Sequence, residues 1–328
     1  MNQSNCMVAQ SGGPTSAINA SLAGVISGVT KSGKYDICYG AINGILGILN
    51  ENYLNLSESV ENEEKLARLM RTPAMYLGSC RHKLPNYKDD DSPYVFIFNQ
   101  FAKLNIKAFF YIGGNDSMDT VLKLSDYAAK INSDIRIIGI PKTIDNDLCM
   151  IDHTPGFGSA AKYIASTMLE VAHDTFIYAV KSVTIVEIMG RDAGFLAQYS
   201  AIASGAEAAI IPEDRTDVDQ LEHFIGRGIR KTKNSSIVIV SESPKDGGAM
   251  HYAERVCKEY PEYEVRVTIL GHLQRGGAPS ASDRILSSRL GVASVTALLE
   301  GQRNVMIGIL SHIVEFRNSE SAQHVLQV

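Results

Sequence analysis

The stretch Ile135-Arg136-Ile137-Ile138-Gly139-Ile140-Pro141-Lys142-Thr143-Ile144-Asp145-Asn146-Asp147 decides how this chain is read. Its first six residues are mostly branched and apolar, and a proline follows, so they read as a buried parallel strand that stops at 141. Asp145 and Asp147 then project from a loop at the C-terminal end of that strand, where open α/β sheets hold their ligands. One carboxylate can take a proton while the other holds a divalent cation. Lys142 adds a fixed positive charge, which suits phosphate chemistry.

Working outward, further short apolar runs lie at 6–9, 108–112, 183–188, 208–211, 237–240, 267–270 and 306–310. Amphipathic stretches separate several of them, such as Ile18, Leu22, Val25, Ile26 and Val29. This alternation predicts βαβ units and mainly parallel sheets. A helix is expected from Ser159 to about His173, with Ile164, Met168, Leu169 and Ala172 on one face. The glycine-bearing stretch 154–158 is the expected crossing into a second lobe, since 328 residues are enough for two.

Bulk properties narrow the class. Apolar residues make up 45% and charged residues 20% of the chain, as in an ordinary globular enzyme. A formal net charge of -5 gives no electrostatic case for nucleic acid or a membrane surface. No apolar run approaches the roughly 20 residues that span a bilayer. The first residues lack a basic segment followed by an apolar one, so no secretory signal is expected. Five scattered cysteines, with no Cys-x-x-Cys pair, point to reduced thiols in a cytoplasmic protein. The polar segment 83–92, with Asp89-Asp90-Asp91, reads as a solvated loop.

Several strand ends carry residues suited to phosphate and sugar. Ser11-Gly12-Gly13-Pro14 opens the first helix, where glycines and helix N–H groups admit an anion. The loop 113–117 repeats that arrangement, with Asn115 and Asp116 between two glycines and Ser117. Ser117 is expected to cap the next helix and Asp119 to complement its dipole. Gly78-Ser79-Cys80-Arg81-His82-Lys83 groups cations after a glycine turn, as an anion clamp would. Met189-Gly190-Arg191 and Gly271-His272-Leu273-Gln274-Arg275 end two more strands, the second of which also carries Arg266. Glu242 follows the 237–240 run and can accept hydrogen bonds from a sugar. Together these features fit metal-assisted phosphoryl transfer to a hydroxyl of a phosphorylated sugar.

On these motifs, from Gly12 to about Gly291, the sequence strongly resembles the phosphofructokinase family. The resemblance implies a two-lobed α/β fold with mainly parallel sheets and helices on both faces. It places a phosphoryl-donor lobe at 1–156 plus about 274–324. A fructose 6-phosphate lobe takes 157–273 plus the C-terminal end. The implied reaction moves phosphate to the 1-hydroxyl of fructose 6-phosphate with Mg²⁺, as a step of glycolysis. Carried over by position, Asp145 is the implied proton acceptor and Thr143 the contact to the transferred group. Asp147 would hold the acceptor hydroxyl or the metal's water, and Asn115 would join it at the metal. Gly13, Arg81 and Asn115 match donor-binding positions. Met189, Gly190, Arg191, Glu242, Arg266, His272 and Arg275 match positions that bind the sugar and its 6-phosphate.

Two positions bear on the donor. The ATP-dependent branch usually has glycine at both Asp116 and Lys142. A carboxylate at 116 would crowd and repel a nucleotide's α-phosphate, and the Lys142 ammonium would steady the group in flight. Both residues resemble the pyrophosphate-dependent branch. The resemblance thus implies fructose 6-phosphate and pyrophosphate as partners, near-equilibrium chemistry and a homo-oligomer, dimer or tetramer. It implies no allosteric control, since the first helix lacks the arginines of allosteric members. An ATP-dependent enzyme is the alternative. A non-catalytic regulatory subunit would typically have lost Asp145, Asp147, Arg191 and Arg275. A nicotinamide dehydrogenase would need a Gly-x-Gly-x-x-Gly fingerprint that the chain lacks.

Overall fold

The computed structural model describes residues 4–177, 179–214, 221, 225, 234–242, 247–311 and 313–318. The chain divides into two compact units. One comprises residues 1–143, 148–156 and 278–328, the other residues 144–147 and 157–277.

The first unit is built on a seven-stranded sheet of order β11-β10-β5-β4-β1-β2-β3. Its strands are β1 (Ser4–Gln10), β2 (Tyr35–Ala41), β3 (Tyr53–Asn55), β4 (Ile106–Gly113), β5 (Arg136–Pro141), β10 (Val305–Leu310) and β11 (Ile313–Asn318). The run from β10 to β2 is parallel, and β3 and β11 pair antiparallel at the two edges. Successive residues of the central strands face opposite cores. Val8, Phe110, Ile112, Ile138 and Ile140 pack with helices Ile18–Ser32 and Ala281–Leu299. Met7, Ala9, Phe109, Tyr111 and Ile137 pack with helices Ser92–Lys103 and Asn115–Lys130. Both faces are covered, which is why these strands read as unbroken apolar runs.

The second unit holds a four-stranded parallel sheet of order β7-β8-β6-β9. Its strands are β6 (Ser182–Ile188), β7 (Ala208–Ile210), β8 (Ser235–Ser241) and β9 (Glu264–Ile269). Val186, Ile188, Ile237 and Ile239 pack with helices Phe157–Phe176 and Phe195–Ser204. Val183, Ile185, Val238 and Val240 face helix Gly248–Glu259.

The structure corrects several expectations. Strands β2, β3 and β11 had no counterpart among the apolar runs. The ninth strand ends at Ile269 instead of running through 267–270, so Arg266 lies at its middle. The helix expected at 159–173 extends from Phe157 to Phe176, and Leu169 is exposed while Ile164 and Met168 are buried. The Cys6 and Cys38 thiols are buried side by side, in register on β1 and β2. Their hydrogen bond, followed by burial, pushes the Cys6 pKa up, so this thiol stays protonated. No described helix is long and apolar enough to cross a membrane.

Helices Ile18–Ser32 and Ala281–Leu299 cross in close contact. A Cβ on Gly291 would meet the Gly24 Cα at 2.9 Å and the Val25 nitrogen at 2.8 Å. Backbone cannot swing aside as a flexible side chain can. Gly291→Ala is therefore expected to lower unfolding free energy by roughly 1–3 kcal/mol, read by denaturant titration.

Candidate active site

In the first unit, β1 leads by way of helix Ile18–Ser32 to β2 on one side, while β4 and β5 lie on its other side. The strand order therefore reverses between β1 and β4, and loops at their C-terminal ends bound the crevice such a switch point opens. Backbone bonds keep the loops level. Ser11 N–H donates to Ile112 C=O at 2.9 Å, and Lys142 N–H donates to Gly113 C=O at 2.9 Å.

Lys142 is the most unusual of these residues. It is 2% exposed. Its Nζ donates to the Gly13 carbonyl at 2.6 Å, so the β5 loop reaches back to the β1 loop. A Cβ on Gly12, which has φ +80°, would stand 3.1 Å from that Nζ. Glycine is thus needed there for both backbone angle and space.

Gly114 caps helix Asn115–Lys130, and Asn115 is its first residue. Ser117 lies inside the first turn and is buried against Gly113, so it is not the cap expected from sequence. Asp116, rather than Asp119, is the acid of that first turn. Asp119 pairs with Lys123 at 2.7 Å, one turn further on. Asp116 faces solvent and pairs with Lys83 at 2.9 Å.

Arg81 and Lys83 ride on a loop docked to β1 by polar contacts. Ser79 Oγ donates to Gly12 C=O at 2.6 Å, and Ser11 Oγ to Cys80 C=O at 3.2 Å. Buried Gln10 accepts from Leu77 N–H at 2.9 Å and donates to Asn19 Oδ1 at 3.2 Å. Asn19 in turn accepts from Tyr76 N–H at 2.8 Å. Sequence reasoning passed over Gln10 and Asn19. Their signal was polarity within otherwise apolar runs, since a buried amide needs partners. Arg81 is exposed.

Thr143 forms a parallel bridge with Gly156. Its N–H donates to Pro155 C=O at 3.2 Å. Asp145 and Asp147 follow within the second unit, both half-buried, with Asn146 between them at φ +58°.

The second unit gathers its own strand ends. Beyond β6, Arg191 takes a left-handed φ of +56°, uncommon for a residue with a side chain. Glu242, after β8, accepts from Arg191 N–H at 3.0 Å and from Gly190 N–H at 3.5 Å. That carboxylate supports the strained turn. Buried Gln274 accepts from Met189 N–H at 3.1 Å and donates to Gly271 C=O at 3.0 Å. It ties the 3₁₀ turn Gly271–Arg275, with His272 and Arg275, to the end of β6. Gln274 was also not singled out from sequence. Arg266 pairs with Asp174 at 2.6 Å and Glu264 at 3.0 Å.

Among the described residues, no group of three or more His, Cys, Asp or Glu side chains is placed to cage a metal. Asp147, in the second unit, carries a carboxylate and Asn115, in the first, an amide, the oxygen donors that Mg²⁺ prefers.

The chain matches the Phosphofructokinase family over residues 5–298. It belongs to that family. A relative from Bacteroides thetaiotaomicron, named ATP-dependent 6-phosphofructokinase 2, is 53% identical over 212 residues. The match covers 65% of this chain and 63% of that protein, less than two thirds of the relative's length. A Rhodospirillum rubrum relative, named pyrophosphate--fructose 6-phosphate 1-phosphotransferase, is 37% identical over 286 residues, covering 86% of this chain and 67% of that one. Among solved structures, a pyrophosphate-dependent phosphofructokinase from Nitrosospira multiformis superposes with a TM-score of 0.88. It is 32% identical, and the match covers 98% of this chain and 84% of that one.

The Lys83–Asp116 pair is largely in solvent, its side chains 67% and 61% exposed. Such pairs hold by at most about 1 kcal/mol. Lys83→Met is therefore expected to leave the melting temperature within about 2 °C of the parent, as followed by circular dichroism.

Proposed function

We propose that this chain transfers a phosphoryl group from inorganic pyrophosphate to the 1-hydroxyl of fructose 6-phosphate, reversibly, giving fructose 1,6-bisphosphate and phosphate. The observation that carries the reading is Lys142. Its buried ammonium lies at Gly13, between loops that a switch point opens to ligand. A pyrophosphate lacks the nucleoside that anchors ATP, and a fixed cation offsets charge on the moving group.

Roles follow from chemistry and position. Asp145 accepts the proton of the 1-hydroxyl as its oxygen attacks the phosphorus. Thr143 contacts the transferred group. Gly13, Arg81 and Asn115 bind the donor, and Asp116 works with Lys142 to select it. Met189, Gly190, Arg191, Glu242, Arg266, His272 and Arg275 hold the sugar and its 6-phosphate, with Asp147 at the acceptor hydroxyl or the metal's water. Asp147 and Asn115 would hold an Mg²⁺, which would supply neutralisation of phosphate charge. The reading gives residues 1–156 and about 274–324 the donor and residues 157–273 the sugar phosphate. It makes the protein a cytoplasmic, glycolytic and non-allosteric homo-oligomer.

An ATP-dependent reading has two supports. The Bacteroides thetaiotaomicron relative carries that name at 53% identity. In addition, Lys83 partly neutralises the Asp116 carboxylate, which weakens its repulsion of a nucleotide.

Initial rates of the purified chain with Mg²⁺ and either donor separate the two. Pyrophosphate is expected to exceed ATP in kcat/KM by about 100-fold or more, the effect of a few kcal/mol of charge selection. Faster turnover with ATP rejects the pyrophosphate reading. In the same assay, Asp145→Ala is expected to reduce kcat by about 10²–10⁴-fold with little change in the fructose 6-phosphate KM. An unchanged kcat removes Asp145 as the base.

A further inference from the structure

We propose that Thr154 is a positioning residue for phosphoryl transfer, its hydroxyl fixing the backbone that carries Thr143 and leads to Asp145. The proposal rests on the reading that residues 143–147 carry the chemistry.

Thr143 leaves β5 just where regular pairing stops, so its own peptide groups need other partners. They find them eleven to thirteen residues later. Thr154 is fully buried, and its Oγ1 donates to Thr143 C=O at 2.9 Å. Thr143 N–H donates to Pro155 C=O at 3.2 Å. Thr143 then pairs with Gly156 in a parallel bridge. Both backbone polar groups of the phosphoryl-contacting residue are therefore held by one short segment.

That segment is itself anchored. Asp152 N–H donates to Ile309 C=O at 2.9 Å, and Asp152 Oδ2 accepts from Ser311 N–H at 2.6 Å. These bonds fasten it to the end of β10. His153 Nε2 lies 3.7 Å from the buried Asp283 carboxylate, at the start of helix Ala281–Leu299. Gly156, at φ +110°, presses against Thr15 of the β1 loop, so closely that a Cβ there would stand 2.8 Å from the Thr15 Cβ. The clasp thus refers Thr143 to the rigid part of the first unit at three places.

The Thr154 hydroxyl is buried and turned to the Thr143 carbonyl, so it is not presented to substrate. Its removal should therefore displace a reacting group without weakening substrate binding. Misplacement by about 1 Å is enough to cost about 100-fold in rate. Valine keeps the shape of threonine and lacks the donor, while serine keeps the donor.

The experiment compares Thr154→Val and Thr154→Ser with the parent chain, in steady-state assays with the preferred donor and in amide exchange of residues 142–145. Thr154→Val is expected to lose about 10- to 100-fold in kcat, with the fructose 6-phosphate KM within about 3-fold, and to exchange faster at 142–145. Thr154→Ser is expected to restore kcat to within about 3-fold of the parent. A Thr154→Val enzyme with parental kcat overturns the proposal. So does a serine variant as impaired as the valine one. Should the valine variant not fold, Asp152→Ala removes an exposed anchor instead, with an expected loss of about 3- to 10-fold in kcat. Parental kcat in that variant overturns the proposal. A parent chain inactive with both donors overturns the functional reading alone. The clasp is then decided by exchange, and unchanged exchange in Thr154→Val sinks it.

Discussion

The contact between the Lys142 ammonium and the Gly13 carbonyl ties together the strand-end loops of the first unit. Removing an ammonium from water costs several kcal/mol unless polar partners replace its hydration. The cost is tolerable here because three parallel strands deliver their loops to one level, in hydrogen-bonded register. The same contact explains the glycines around it. A side chain at 12 would crowd the lysine, and one at 113 would collide with Ser117. The glycine loops and the lysine therefore form one arrangement, in which backbone yields room for charge.

The second unit uses a different device. Its functional turn is strained at Arg191 and held by the Glu242 carboxylate, which occupies two backbone N–H groups. Gln274 does the same for Met189. Side-chain acceptors thus replace the strand pairing that ends at Ile188 and Ile269. On the proposed reading, the lone pairs of that carboxylate not used by the loop accept from a sugar hydroxyl.

The strands that carry functional loops were legible because doubly buried parallel strands are unbroken apolar runs that stop at glycine or proline. Ile112-Gly113 and Ile140-Pro141 are examples. β2 escaped because Tyr35-Asp36-Ile37-Cys38-Tyr39-Gly40-Ala41 mixes polar and apolar residues, and its early positions are only partly buried. β3 has three residues, too few for any period. The residue types of the candidate site were also legible, but their partners were not. Gln10 meets Leu77, Asn19 meets Tyr76, Lys142 meets Gly13 and Met189 meets Gln274. These contacts join residues 57 to 129 apart in sequence, a separation that only the folded sheet closes. Ser117 was misread as a cap because its spacing after the glycines allowed it. The helix instead begins two residues earlier, at Asn115.

The Asp116–Lys83 pair changes the field that the Asp116 carboxylate presents. An isolated carboxylate repels an α-phosphate through its charge. A carboxylate 2.9 Å from an ammonium presents a dipole, whose field falls off faster with distance, and water around an exposed pair screens it further. Repulsion by Asp116 is then a short-range effect, felt by a group that enters its own space. Lys142 is different, since its burial leaves little water to screen it. On the proposed reading, attraction by the buried cation then outweighs exclusion by the exposed acid. On that reading the two residues act over different ranges, and the lysine carries the larger share.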